Sequence, residues 1–380
     1  IAIGKNAFMG GDLGDHNDGT DRQCIANIAI GSYAMDATAA NPCFGQIGIG
    51  YNALGSMTTG TENIAIGYAA GQAIVEGQQN TFLGHQAFAA GQEDSSCTAI
   101  GYQALTAADV SDTGSAVDTF NTAVGRWAGK SITTGKYNTI VGGNAGDGFD
   151  AENHVTFIGY LAGGGGGTPT ECVAIGSSSL ASAATATGTV AVGTSALNAL
   201  TSGTGNTAVG YHAGAIQTDG INNTIIGYQA FDAADSGEGN NVVIGYAAGG
   251  AINEPGADSN VIIGSNAGTG GAAFIQDCVV IGASAMNSTA TNDQVGIVAI
   301  GSSALTALTT GARNMGIGSS AMAAQTTGAD NIAIGFNAMV AANHASCTYN
   351  TAIGNYTLDA VGAHTCTNNT AVGYAALSGI

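Results

Sequence analysis

The chain has 380 residues, 62 of them Gly and only 3 Pro; charged residues make up 8%, and 26 acidic against 6 basic side chains leave a formal net charge of −20. That balance excludes a nucleic-acid partner, whose phosphates require Lys and Arg. The absence of about 20 uninterrupted apolar residues excludes a membrane span, and Gly without a three-residue period or abundant Pro excludes collagen. With 45% hydrophobic residues and so little charge, disorder is excluded too. What is left is a chain that buries small apolar residues in a regular lattice.

The lattice is visible as a repeat. A small–aliphatic–Gly triplet recurs 21 times, its Gly falling from Gly4 and Gly31 through Gly50, Gly67, Gly84 and Gly101 to Gly373. Eleven of the 20 spacings are 17 residues; only the first (27) and the one after Gly101 (24) are long. Seventeen residues are too few for the common helical repeats, whose forms exceed about 30, and Gly with β-branched residues disfavours helix. The prediction is all-β: one continuous β-solenoid, a parallel β-roll of about 21 coils with a ~17-residue period over residues 1–380, with longer loop insertions at 5–24 and 106–120. Each coil is expected to carry one strand ending at the aligned Gly and a second centred on the Ala three residues later, followed by a turn.

Taken along the chain, the first insertion holds the acidic knot GDLGDHNDGTD. Asp12, Asp15, Asp18 and Asp21 are candidate Ca²⁺ ligands with backbone oxygens, against a reading as a solvated insertion without EF-hand spacing. In each strand the residue before the aligned Gly is Ile, Val or Leu in all 21 copies, and the one before that is Ala, Gly, Ile, Val or Phe. Strand neighbours point to opposite faces, so both faces are apolar. A thin solenoid has one interior, and the other face needs a cover; a further copy of the chain is the expected one, with an internal second layer as the alternative. Four residues before the Gly, Asn dominates: Asn27, Asn63, Asn80, Asn121, Asn138, Asn206, Asn223, Asn241, Asn260, Asn314, Asn331, Asn350 and Asn369. This column reads as a structural ladder passing amide hydrogen bonds between coils. Tyr follows the Gly in eight copies, including Tyr51, Tyr68, Tyr211 and Tyr228, as a shield for the coil edge or a sugar-binding row.

The seven Cys obey the period. Cys97, Cys172 and Cys278 sit in the Asn column; Cys24, Cys43, Cys347 and Cys366 sit seven residues before the Gly. Cys24 and Cys43 belong to successive coils, as do Cys347 and Cys366. Coils about 4.8 Å apart fall inside the disulfide window of about 4.4–6.8 Å, so both pairs are candidate bridges, against four reduced thiols in a tolerant column. LAGGGGGTPT (161–170) lacks the Lys of a nucleotide-binding loop and reads as a turn. The six His do not cluster, and no nucleophile is paired with a base, so no enzyme and no resident cofactor are expected, Ca²⁺ at the acidic knot aside.

NTAVGYHAG (206–214), NIAIGYAAG (63–71) and NTAIGNYTL (350–358) resemble the head repeats of YadA-type trimeric autotransporter adhesins and the related repeats of bacteriophage tail fibres. The resemblance covers all 21 copies. It implies a left-handed β-roll packed as a homotrimeric rod, located extracellularly, on a cell surface or on a virion. The 17-residue period is longer than that family's, and stalk heptads, neck and membrane anchor are not seen. Both ends stop inside the repeat, which implies a segment of a longer fibre or a unit joined end to end. The expected function is therefore a structural fibre, shaft or adhesin head, presenting variable loops to a cell-surface or glycan receptor, with self-association as homotrimer or end-to-end fibre. The alternatives are a self-assembling extracellular filament and a lattice-binding module for ice or polysaccharide; the lattice reading needs a regular Thr or aromatic array, and the drifting spacing weighs against one.

Overall fold

The computed structural model describes residues 1–9, 25–38, 43–110, 115–270, 274–288, 293–341, 347–360 and 366–378. Among these there is no helix, and the chain forms a parallel β-solenoid whose rungs recur every 17 residues or slightly more. It divides into two compact units, Ile1–Thr185 and Ala186–Ile380. In the first unit ten short strands, from Ala2–Ile3 to Val173–Ile175, pair parallel with their successors. In the second, eleven strands from Val190–Val192 to Thr370–Val372 do the same. Register is kept at the strand regardless of spacing. Ala2 pairs with Ala29 across the 27-residue gap and Thr98 with Thr122 across the 24-residue one.

The aligned Gly ends each strand for a backbone reason. All 21 have φ between 127° and 143°, a region that a side chain makes costly. There is also no room for one: a Cβ on Gly67 would lie 2.6 Å from the carbonyl carbon of Gly84, and one on Gly84 would lie 2.7 Å from that of Gly101. The glycines are stacked backbone on backbone.

The expected second strand on the Ala three residues after the Gly is not there, which corrects the sequence reading. That stretch is a turn in which the second and fourth residues after the Gly are left-handed, as at Asn52 (φ 55°) and Leu54 (φ 52°) or Ser195 (φ 55°) and Leu197 (φ 47°). Alternating left-handed residues wind the chain and throw the side chains of Ala53 and Leu54 both inward, where both are fully buried. A second ladder does exist, but before the Asn column and in few coils: Asp94–Ser95 pairs with Val117–Asp118, and Ile275–Gln276 with Gln294–Val295.

Most rungs follow a size rule relating the central strand residue to the fourth residue after the preceding Gly. Where the strand residue is small that residue is usually large: Gly48 lies against Met35 and Gly316 against Leu305, and Ala65 follows Leu54 and Ala208 follows Leu197 at the same offset. Where it is large that residue is usually Gly: Phe82 over Gly71, Ile140 over Gly129, Ile225 over Gly214. Ala174 after Gly163 and Val243 after Phe231 depart from it. A Cβ on Gly71 would come within 2.7 Å of the Phe82 ring, and one on Gly214 within 2.9 Å of Ile225 Cδ1. Interiors at crystal-like density tolerate neither overlap nor void, so neighbouring rungs trade volume.

Candidate interaction face

Each three-residue strand buries its middle side chain and turns the two flanking ones outward. Ala29, Ala65, Phe82 and Ile225 are 0–1% exposed, while the outward residue before the Gly reaches 45% at Leu83, 38% at Ile158 and Ile226 and 37% at Val209 in the single chain. The other outward position is Ile, Val, Thr or Met in all copies. No Asp or Glu occurs at any of the seven positions from three before to three after the aligned Gly. Those columns across 21 copies hold 147 of the 380 residues, yet none of the 26 acids. The solvent face of a sheet ordinarily alternates with polar and charged side chains; here acids are kept out of these columns altogether.

The Thr positions on this face do not drift. Thr81, Thr98, Thr122, Thr139 and Thr156 occupy one column on five successive rungs of the first unit, paired residue on residue. The expectation of drift concerned Thr in the turns; these strand threonines hold register because the strands pair residue on residue.

An aromatic row borders the face. In the first unit Tyr51 stacks on Tyr68 (5.2 Å between ring centroids, 11° between planes), Tyr68 on His85 (5.0 Å) and His85 on Tyr102 (5.2 Å), with Tyr33 and Trp127 at the two ends. In the second unit Tyr211, Tyr228 and Tyr246 stack likewise. Cations close the longer row: Arg126 lies 3.6 Å and Lys130 4.7 Å from the Trp127 ring centre, and Lys5 lies 5.7 Å from that of Tyr33. Half the basic residues of the chain thus serve cation–π contacts. In each stacked pair one ring face lies against its neighbour's.

Behind the strand stands the Asn column. Its amides bond mainly to backbone rather than to each other, which refines the predicted ladder. Asn206 Nδ2 donates to the Gly220 carbonyl (2.7 Å) while its Oδ1 accepts from the Asn223 N–H (2.9 Å). Asn63, Asn80, Asn138, Asn223, Asn241, Asn260, Asn314, Asn331 and Asn350 repeat this clip onto the next coil. Asn121 makes the same pair to Gly135 and Asn138, and Asn27 to Cys43 and Gln46. Asn369, the last member, donates to Asn350 Oδ1 (3.0 Å). Sequence reasoning missed Gln46, which holds the same column and bonds Gly60 and Asn63 in the same way; its position four residues before Gly50 was the available signal.

Cys347 and Cys366 are joined by a disulfide, with their Cα atoms 4.5 Å apart. Cys43 is buried and its proposed partner Cys24 lies outside the described residues, as do Asp12, Asp15, Asp18 and Asp21. Among the described residues no three His, Cys, Asp or Glu side chains gather as a metal site. Cys97 and Cys278 are buried in the Asn column, and burial pushes their thiols up to about 12 and about 11; such thiols are unreactive.

Three acids were not anticipated. Asp94, Glu152 and Glu238 lie inside the coil, seven residues before their glycines and 0–1% exposed. Among the described residues, both carboxylate oxygens of Glu152 and of Glu238 have no hydrogen-bond partner; Asp94 Oδ2 accepts from Val110 N–H (3.3 Å), and its Oδ1 has no partner there. Desolvation pushes Glu238 up to about 7 and Asp94 to about 6, with Asp235 and Asp109 respectively adding like charge, and raises Glu152 in the same way. Elsewhere in the first unit, Gln78, Gln79, Ser95, Ala116 and Asp118 line an open polar depression of about 260 Å³ beside the 106–120 insertion. It holds hydrogen-bonding groups and no activated nucleophile.

No protein-family model matches the sequence, and no curated protein matches it. Among the described residues no helix is long and apolar enough to cross a membrane.

Proposed function

We propose that the chain is the shaft of a self-associating extracellular or virion fibre, in which copies pack through the outward strand face as a homotrimer or side by side. The observation that carries this reading is an outward face of one aliphatic column beside one of Ile, Val, Thr and Met, from which all acids are absent. In the single chain the flanking side chains are partly bare, up to 45% at Leu83 and 38% at Ile158 and Ile226, and covering apolar area is worth about 25 cal/mol per Å². A chain carrying −20 repels its copies except where charge is missing, and this face is where it is missing. The Cys347–Cys366 bridge suits an oxidising, extracellular compartment, and the variable loops at 5–24 and 106–120 would carry any receptor specificity.

Sedimentation or light scattering of the full chain tests the proposal. Association is expected at micromolar concentration, and lysines introduced together at Val209 and Ile226 are expected to abolish it. A wild-type chain that stays monomeric and soluble would refute it.

The Thr column of Thr81 to Thr156 favours a second reading, a binder of a regular lattice such as ice or crystalline polysaccharide. Here the same face stays uncovered, and the monomer is retained on ice or on the insoluble polysaccharide. Loss of retention on Thr122→Lys would support that reading over the fibre.

A further inference from the structure

We propose that the outward tyrosines on adjacent rungs are sites of oxidative cross-linking, where a one-electron oxidant converts neighbouring phenols to dityrosine and staples successive coils. The inference needs a single chain and does not depend on self-association.

The parallel, in-register rungs set up the reaction. Tyr211, Tyr228 and Tyr246 each follow the aligned Gly on three successive rungs of the second unit. Their ring centroids are 5.0 and 5.6 Å apart with planes 15° and 12° from parallel, and they are 43%, 47% and 54% exposed. Tyr51 and Tyr68 repeat the arrangement in the first unit, 5.2 Å apart and 47% and 50% exposed. Strands about 4.8 Å apart hold the two phenols at a high effective concentration. Exposure leaves the rings free to twist about their side-chain bonds until two ortho carbons meet.

The step balances with hydrogen peroxide as oxidant and a haem peroxidase as its activator. Each phenol gives up one electron and one proton, leaving a phenoxyl radical with spin on its ortho carbons. Two neighbouring radicals join through an ortho–ortho C–C bond. The hydrogen on each joined carbon then leaves as a proton and one returns to each oxygen, restoring both phenols. The pair has lost two hydrogens in total; peroxide takes up two electrons and two protons, its O–O bond breaks, and two waters form.

The molecule supplies its own control. Tyr160 is more exposed, at 58%, but Gly143 and Ser177 take the corresponding positions on the rungs before and after it. Exposure alone favours Tyr160; adjacency favours Tyr228.

The experiment treats the full chain, at high dilution, with peroxidase and hydrogen peroxide. The expected result is dityrosine emission, an intact mass lower by two hydrogens per bridge with no covalent dimer, and proteolytic peptides linking Tyr228 to Tyr211 or Tyr246 and Tyr51 to Tyr68. Tyr228→Phe, which keeps the ring and loses the hydroxyl, is expected to remove all bridges in the Tyr211–Tyr246 group, since the two remaining phenols lie two rungs apart. The proposal is overturned if the folded chain loses no hydrogens, if dityrosine forms only between chains, or if the Tyr228→Phe chain still bridges in that group.

Discussion

The inside and the outside of the same strand vary in opposite ways. Inward, the central residue ranges from Gly48 through Ala65 to Phe82 and Phe157, and most changes are met by an opposite change on the neighbouring rung, as Gly71 meets Phe82. Outward, the residue before the Gly never leaves Ile, Val and Leu, although it is partly bare in the single chain, up to 45% at Leu83. Interior variation is compensated within the chain, where packing density enforces it. Outer uniformity is compensated by nothing in the chain. A surface position free of packing duty ordinarily accepts Lys or Glu with little effect on stability, yet no copy of this column carries one.

Four measurements break or sharpen that contrast, beginning with the strongest effect. Asn206→Leu removes two buried bonds and leaves the Gly220 carbonyl and the Asn223 N–H unpaired. At about 1–3 kcal/mol for each orphaned group, denaturant titration should read a loss of roughly 2–5 kcal/mol. Gly214→Leu overfills the space against Ile225 and is expected to cost about 1–3 kcal/mol. Adding Ile225→Ala reproduces the Leu197–Ala208 pairing found one rung earlier, so a double-mutant cycle should return a favourable coupling of about 0.5–3 kcal/mol. Additive losses would show that rungs do not trade volume.

The third measurement concerns a buried exception. Burial lets Glu238 hold its proton up to about pH 7 in the fold, against 4.5 for an ordinary glutamate. The native state therefore binds the extra proton between those values, and stability falls as pH rises from about 4.5 to 7. Glu238→Gln keeps the shape without the charge, much as Gln294 does in the same column, and is expected to flatten that slope and add roughly 1 kcal/mol at pH 8. An unchanged pH profile of the melting temperature would show that the carboxylate finds a partner in solution. The smallest effect belongs to the outer face: Val209→Lys with Ile226→Lys should move monomer stability by no more than about 0.5 kcal/mol while abolishing association. A large loss of stability would return those residues to the core and remove the contrast.

Much of the coil was readable because its causes are local. Asn206, Gly210 and Ala213 recur at fixed offsets, and each offset reflects a backbone need within one turn of chain. The Asn column was legible as buried, but its bonding partners were not; Asn206 reaches Gly220, fourteen residues on, through the closing of a coil that no local pattern describes. The exchange between Gly214 and Ile225 lay in the sequence too, visible only once the fourth residue after one Gly is compared with the strand of the next rung. The false second strand at Ala53 was centred on the constant Ala column. Two left-handed residues, Asn52 and Leu54, wind that stretch instead of extending it.

Period, strand position and the small-residue columns were thus determined by the amino-acid order alone, because stacking identical rungs imposes the same steric demand at every repeat. Which side of each strand faces inward, that Thr81 to Thr156 stay aligned, and that the tyrosine rings lie face to face were decided only by the folded coil. Those features depend on where the chain lies one turn later, a distance in space of a few ångströms that corresponds to no fixed distance along the sequence.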